Sequence, residues 1–351
     1  MQLPVIEPAF DARNIPIVFA CDANYALFTG VAVRNILNLA NPGRNYDVII
    51  LELGLDEAMR AELAELAAGF DNVSLRFFDL SAEMAAYKFE TVPIAKRFTR
   101  EVFFPLLIPP LCRKYDKVIS LDPDILLLED VAHLYDVDLG DNLAGAVMDY
   151  ECTIDALLKN PREMKNRAYI MEDLGVDPFH FVNSGVVVFN IRQLAGENRL
   201  DAFLQALPMV RWLPDQDILN YVCKGRMKIL DMCWNVQAFA YARKSYEALP
   251  EDAKAIFEKA RANARLIHYT FVIKPWFHPG CGDWWAICRQ TPFHDRILNG
   301  FMLNESINPL KVTNARPQRK ITVRPPAGAA AAAGQGSTTA DANASSTEES
   351  E

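Results

Sequence analysis

Short continuous apolar runs alternate along this chain with longer stretches whose apolar residues recur at helical intervals. Ile15 to Ala20 reads as a buried strand closed by Cys21-Asp22-Ala23-Asn24, and Leu27 to Leu39 follows with helical spacing. Asp47 to Leu53 is a second apolar run, and Asp56 to Phe70, rich in Ala, Glu and Leu, is a second helical stretch. Val73 to Phe78 predicts a third strand, Val102 to Leu111 a helix ended by Pro109-Pro110, and Lys117 to Leu121 a fourth strand. This rhythm predicts an α/β fold with a mostly parallel central sheet covered on both faces. Further on stand Ala144 to Met148 ahead of Asp149, and Val186 to Ile191 behind Asn183-Ser184-Gly185. A helical stretch then opens at Asp215-Gln216-Asp217, and a short strand, Leu266 to Tyr269, runs into Lys274-Pro275-Trp276. No internal repeat is visible.

The pattern changes character beyond about Met302. Lys311 to Arg324 carries Lys311, Arg316, Arg319, Lys320 and Arg324 and no acid, whereas the Ala, Gly, Ser, Thr and Glu of the last residues cannot bury a core. The expected organisation is a catalytic domain over residues 1–302, a basic segment over 303–325 and a disordered low-complexity tail over 326–351. The basic segment is either a solvated tail or a peripheral contact with anionic lipid.

Composition narrows the class. The chain has 351 residues, 51% hydrophobic and 23% charged, which suits a globular protein. A net charge of −9 argues against a general nucleic-acid binder. Seven scattered cysteines with no Cys-x-x-Cys pair point to reduced, mostly buried thiols rather than a disulfide framework or zinc site. Met1 to Phe10 lacks a basic region of the secretory type and every apolar run is shorter than a membrane span, so the expected compartment is the cytoplasm.

Open sheets of this class take ligands outside the carboxyl ends of their strands. Two acidic loops stand there, Asp22-Ala23-Asn24 after the first strand and Asp122-Pro123-Asp124 after the fourth. Carboxylates one residue apart can share a divalent cation, and oxygen donors suit hard ions such as Mg²⁺ and Mn²⁺. Asp-Pro-Asp is equally good turn chemistry, so the motif alone leaves both readings open. His268 and Lys274 bear on the choice. A histidine closing a strand is most often structural and a lysine most often solvated. Yet a neutral imidazole is a good third ligand for a transition-like metal, and lysine is a compact charge for a phosphate oxygen. Beside a two-carboxylate site, the pair would complete a clamp for a metal-bound diphosphate.

Four blocks together resemble glycosyltransferase family eight, the retaining enzymes that include bacterial lipopolysaccharide galactosyl- and glucosyltransferases and glycogenin. They are Ile17 to Tyr25; Tyr115 to Leu126; Phe181 to Val186 with Asp215 to Asn220; and Ile267 to Tyr269 through Lys274 to Trp276. They fall in the family's order over roughly residues 15–280. The resemblance implies a single Rossmann-like nucleotide-sugar-binding domain of the GT-A type. It implies that Asp122, Asp124 and His268 hold Mn²⁺ or Mg²⁺, that Lys274 reaches the phosphates, and that Ala20, Asp22, Asn24 and Tyr25 bind uridine and ribose. Asp149, Asn183, Asp215 and Gln216 would contact the donor sugar. The implied reaction moves glucose or galactose from UDP-glucose or UDP-galactose to a glycan or lipid-linked acceptor, as in lipopolysaccharide or surface glycan synthesis. Gln216 occupies the family's β-face position, with Asp217 beside it as the alternative nucleophile; because an amide is a poor nucleophile, the front-face route is expected. Acceptor loops are expected over Glu151 to Pro178 and around Trp234 to Tyr246.

Two positions depart from the family's pattern. Pro105 stands where an arginine is usual, with Arg97 or Arg100 as replacements, and Phe271 stands where a glycine is usual. A bulky residue there is expected to make the backbone conformation harder to reach. Two other readings compete: a non-catalytic sugar-nucleotide-binding homologue, and a haloacid-dehalogenase-type phosphatase, whose motif also places two aspartates one residue apart behind a strand.

Overall fold

The structure is a computed structural model that describes residues 3–86, 100–159, 168–209 and 213–303. The basic segment from Lys311 to Arg324, the low-complexity tail and Arg97 lie outside the described residues.

The predicted alternation is realised. Strands β1 (Asn14–Cys21), β2 (Asn45–Glu52), β3 (Val73–Asp79), β4 (Val118–Leu121), β6 (Ala144–Met148), β7 (Val182–Phe189) and β8 (Met227–Ile229) form a seven-stranded sheet in the order β3-β2-β1-β4-β7-β6-β8. Side chains alternate across its central strands. Ile15, Ile17 and Phe19 of β1 with Val48 and Ile50 of β2 enter one core, while Val18, Ile49 and Leu51 enter another on the opposite face. Each such fully buried side chain contributes about 1.5–3 kcal/mol relative to exposure, which is why these strands read as unbroken apolar runs. Helix α1 (Ala26–Leu39) follows β1, and α2 (Glu57–Ala64) starts where the Asp56 side chain accepts the amide of Met59 at 2.7 Å.

Three particulars differ from the expected pattern. Pro109 and Pro110 do not end a helix; residues Arg100–Leu107 form a 3₁₀ helix containing Pro105, and the two prolines lie within the short α-helix Ile108–Leu111 that follows. A proline has no amide to donate, which costs nothing in a first helical turn. Strand β7 begins at Val182, four residues earlier than the apolar run indicated, because Asn183 and Ser184 are polar strand residues. It also runs antiparallel to both β4 and β6. Its first residues therefore lie at the same edge of the sheet as the last residues of β4, and the amide of Asp122 donates to the Gly185 carbonyl at 2.8 Å.

A second sheet carries the other half of the site. Strand β10 (Leu266–His268) lies between β5 (Ile125–Leu127) and β9 (Val236–Gln237), pairing antiparallel with the first and parallel with the second. The register sets His268 opposite Ile125 and beside Gln237. The buried Asn35 of α1 holds β5 in place: its Oδ1 accepts the Leu127 amide at 2.6 Å and its Nδ2 donates to the Leu127 carbonyl at 3.2 Å. The described cysteines are all free, and six of the seven are buried. Among the described residues no helix is long and apolar enough to cross a membrane.

Candidate active site

The two sheets bring Asp122, Asp124, His268 and Lys274 together. The amide of Tyr269 donates to the Asp124 carbonyl at 2.9 Å, extending the β5–β10 ladder by one residue and holding the Asp122–Asp124 loop against the end of β10. His268 Nε2 lies 3.3 Å from Asp124 Oδ1 and 3.4 Å from Asp122 Oδ2. The Lys274 ammonium donates to Asp124 Oδ2 and, at 3.2 Å, to the Tyr269 carbonyl. Asp124 and His268 are buried, whereas the Asp122 side chain is 47% exposed.

Charge is held here against the cost of burial. Burial raises the Asp124 carboxyl, but Lys274 and His268 overcome it and hold the group well below the usual carboxylate range. Burial likewise opposes an imidazolium at His268, and Asp124 and Asp122 push it up to about 9. Asp215 is raised to about 7 by burial and by the nearby Asp122 charge.

A hydrogen-bond chain fixes which imidazole nitrogen faces the carboxylates. Asn235 Nδ2 donates to Asn183 Oδ1 at 2.9 Å, which turns Asn235 Oδ1 toward His268 Nδ1 at 3.1 Å. An amide oxygen only accepts, so Nδ1 carries the proton and Nε2 is the nitrogen presented to Asp122 and Asp124. The donor set fits a divalent cation: two carboxylate oxygens and one imidazole nitrogen lie within 4.8 Å of one another. The close approach depends on Gly185, where a Cβ would stand 2.2 Å from His268 Cε1 and 2.7 Å from Asp122 Oδ2.

Beside this cluster lies a network of amides. Asp149 follows β6 and caps the helix Tyr150–Leu158, its Oδ1 accepting the Cys152 amide at 2.9 Å. Its Oδ2 accepts from Gln216 Nε2 at 3.1 Å and from Asn183 Nδ2 at 3.4 Å. Gln216 Oε1 in turn accepts from Asn183 Nδ2 and from the Ser184 amide, both at 3.2 Å. Asp217, next along the helix Pro214–Cys223, turns elsewhere: its Oδ2 accepts the Tyr169 hydroxyl at 2.8 Å and the Leu213 amide at 3.1 Å.

The first acidic loop closes on itself. Asp22 Oδ1 accepts the Tyr25 amide at 2.8 Å and Oδ2 accepts from Asn24 at 3.2 Å. Phe28 of α1 stacks on Trp276 at 3.6 Å between ring centroids, and Tyr25 meets both rings edge-on at 5.8 Å. This aromatic group ties the start of α1 to the segment that carries Lys274. The Tyr25 hydroxyl is raised by burial and pulled part of the way back by the Lys274 charge.

The profile of Glycosyl transferase family 8 matches residues 16–279. The chain belongs to this family. A relative, the lipopolysaccharide 1,3-galactosyltransferase of Salmonella typhimurium (strain LT2), is 23% identical over 273 residues, covering 76% of this chain and 74% of its own. Among solved structures, the WbbM bifunctional glycosyltransferase is 29% identical with a TM-score of 0.74 over 85% of this chain. The present chain spans about half of that protein, 53% of its length. The galactosyltransferase LgtC, crystallised with donor and acceptor sugar analogues, shares the fold with a TM-score of 0.57 and 24% identity, covering 79% of this chain and 96% of its own.

Within this family 8 chain, the phosphatase reading falls. The paired aspartates follow the fourth strand, and Asp124 is committed to His268 and Lys274. The expected acceptor region from Trp234 to Tyr246 is not a simple loop: it contains β9, the helices Ala238–Ala242 and Lys244–Glu247, and the fully buried Asn235. Of Glu151 to Pro178, residues 151–158 are helical and residues 160–167 lie outside the described residues. Phe271 does adopt a left-handed backbone, with φ +53°, at a cost of about 1–2 kcal/mol for a bulky side chain. Gly185, Asn235 and Gln237 were not singled out as site residues in sequence. Gln237 takes the Tyr150 amide at 2.9 Å and donates to the Met148 carbonyl at 3.0 Å. The readable trace of the last two was a pair of amides flanking Val236 in otherwise apolar sequence.

Proposed function

We propose that this family 8 glycosyltransferase moves glucose or galactose from a UDP-sugar to a hydroxyl of a glycan or lipid-linked acceptor, with retention of anomeric configuration, in lipopolysaccharide or surface glycan synthesis. The observation that carries the reading is the convergence of Asp122, Asp124 and His268 with the Lys274 ammonium beside them. In this reading the three residues hold Mn²⁺ or Mg²⁺. A divalent cation bound there supplies positive charge to the diphosphate as negative charge builds on it.

The remaining roles follow from side chains already placed. Lys274 is held by Asp124 and the Tyr269 carbonyl and offers its remaining donor to a phosphate oxygen. Ala20, Asp22, Asn24 and Tyr25 receive uridine and ribose at the end of β1, and Asp149, Asn183, Asp215 and Gln216 face the donor sugar. Gln216 is a neutral amide oriented by Ser184 and Asn183, which suits holding a sugar rather than attacking it. For Asp217 to act as nucleophile it would have to leave Tyr169 and Leu213. These contacts support the front-face route. The bond from the sugar C1 to the diphosphate breaks, a bond from C1 to the acceptor oxygen forms on the same face, and the acceptor proton passes to the departing phosphate oxygen.

UDP release from UDP-glucose and UDP-galactose, with Mn²⁺ and with EDTA, tests the reading. Turnover that needs the cation and is lost in Asp124→Ala is expected. Tight UDP binding without turnover across a broad acceptor panel would instead mark a non-catalytic homologue.

A further inference from the structure

Phe271 holds a backbone conformation that suits it poorly. Its φ of +53° lies where a bulky side chain is crowded, yet the residue is 52% exposed, so burying the ring does not account for the strain. Strain of this kind collects at ligand sites. His268 lies three residues before Phe271 and Lys274 three residues after it, so the backbone of Phe271 stands within about 10 Å of both by chain geometry.

Among the described residues the ring has one aromatic neighbour, Phe239. Its centroid is 5.2 Å from that of Phe239, with the planes inclined by 38°. Phe239 sits in the helix Ala238–Ala242, two residues beyond Gln237, which is the strand partner of His268. Val272, 60% exposed, follows directly. Two tilted rings and a valine thus form a small apolar surface at the rim of a site whose interior is made of carboxylates, amides and an ammonium.

We infer that Phe271 and Phe239 form a platform for the acceptor, stacking on the C–H face of a pyranose ring. Such a ring is apolar on its face and polar at its edge, which matches an aromatic rim beside hydrogen-bonding groups. The inference rests on the reading of the site as a hexosyltransferase.

The test uses saturation-transfer NMR on the full chain with UDP and Mn²⁺, probing methyl β-galactopyranoside and methyl β-glucopyranoside. Phe271→Gly removes the ring while glycine keeps the left-handed backbone; Phe239→Ala removes the partner ring; Phe271→Trp restores an aromatic face. Ring C–H protons of at least one glycoside should saturate in the wild type, fade in the first two variants and persist in the third. The expected loss of affinity is about tenfold, equivalent to about 1.4 kcal/mol. No ring-proton saturation in the wild type, or saturation unchanged in both truncations, overturns the platform. Loss of flotation with phosphatidylglycerol vesicles in Phe271→Gly, with glycoside contact unchanged, also overturns it and assigns the surface to a membrane. Mn²⁺-dependent UDP release by the wild type, measured on the same preparation, separates failure of the platform from failure of the hexosyltransferase reading.

Discussion

Both ends of the central sheet bury a carboxylate, and they treat it in opposite ways. At the amino ends of the strands, Asp47 is fully buried and closed off by donors. Arg76 reaches it with two nitrogens, the Tyr115 hydroxyl donates at 2.7 Å and the Ala9 amide at 3.0 Å. At the carboxyl ends, Asp124 shares His268 with a second carboxylate, Asp122, which is half exposed. The first carboxylate has no capacity left for a ligand; the second belongs to a cluster with acceptors to spare. An open cleft does not reverse this. One of about 780 Å³ lies at the amino end, lined by Arg13, Arg44 and Lys114, but Arg44 is held by Asp136 at 2.8 Å and Lys114 by Glu7 at 2.6 Å. Saturation of the buried charge, rather than burial or cavity size, distinguishes a structural site from a chemical one here.

Crossed substitutions should expose that difference most strongly. Asp122→Asn is expected to lower kcat/KM by ~10³-fold or more, since in the proposed site it removes a carboxylate ligand of the cation. The thermal midpoint of the metal-free protein should shift little, because that side chain is half exposed. Asp47→Asn should do the reverse, costing about 3–5 kcal/mol in urea unfolding because Arg76 keeps a charge without its counter-ion. Its folded fraction should remain active. Equal activity losses in both variants would erase the distinction. Next in size, Gly185→Ala should weaken Mn²⁺ binding by about a hundredfold in calorimetry by driving His268 off Asp122. Asn235→Ala releases the imidazole tautomer and should weaken it by about 10–100-fold.

The smallest effect is a dependence on pH. Asp215 is raised from 3.8 to about 7 and His268 from 6.5 to about 9. In both cases the folded protein keeps a proton that the unfolded chain has released, so stability falls as pH rises through these windows. The thermal midpoint of EDTA-treated protein should therefore decline between pH 6.5 and 9. The stabilisation gained from Mn²⁺ should grow over the same range, because coordination needs a neutral imidazole. Parallel melting curves with and without the cation would show that His268 is not a ligand.

Much of the site was legible because it lies where local pattern and topology coincide. Asp122 and Asp124 close an apolar run, and β-α alternation places such a loop at a sheet's carboxyl edge. His268 and Lys274 were legible only as partners of that loop. Gly185 and Asn235 were not, since each acts through atoms brought near by strand order: Gly185 by the reversed direction of β7, Asn235 by the pairing of β9 with β10. Phe271 illustrates the other limit. The sequence showed a residue ill suited to its position, but not that the backbone would take the left-handed conformation regardless, with its ring against Phe239.

The short strand β10 also has a bearing on how the chain matures. Lys274 lies 150 positions after Asp124, so the site cannot close until nearly the whole described chain has been made. By then every strand of the seven-stranded sheet is already available to pair, since β8 ends at Ile229. A nascent or truncated chain lacking β10 could therefore assemble the main sheet and still have no complete clamp. Contacts of such long sequence separation form slowly, because a large loop must close before they give anything back. Arrival of His268 and Lys274 near the carboxyl end of the fold thus acts as a completion check, after which the Asp122, Asp124 and His268 cluster is whole.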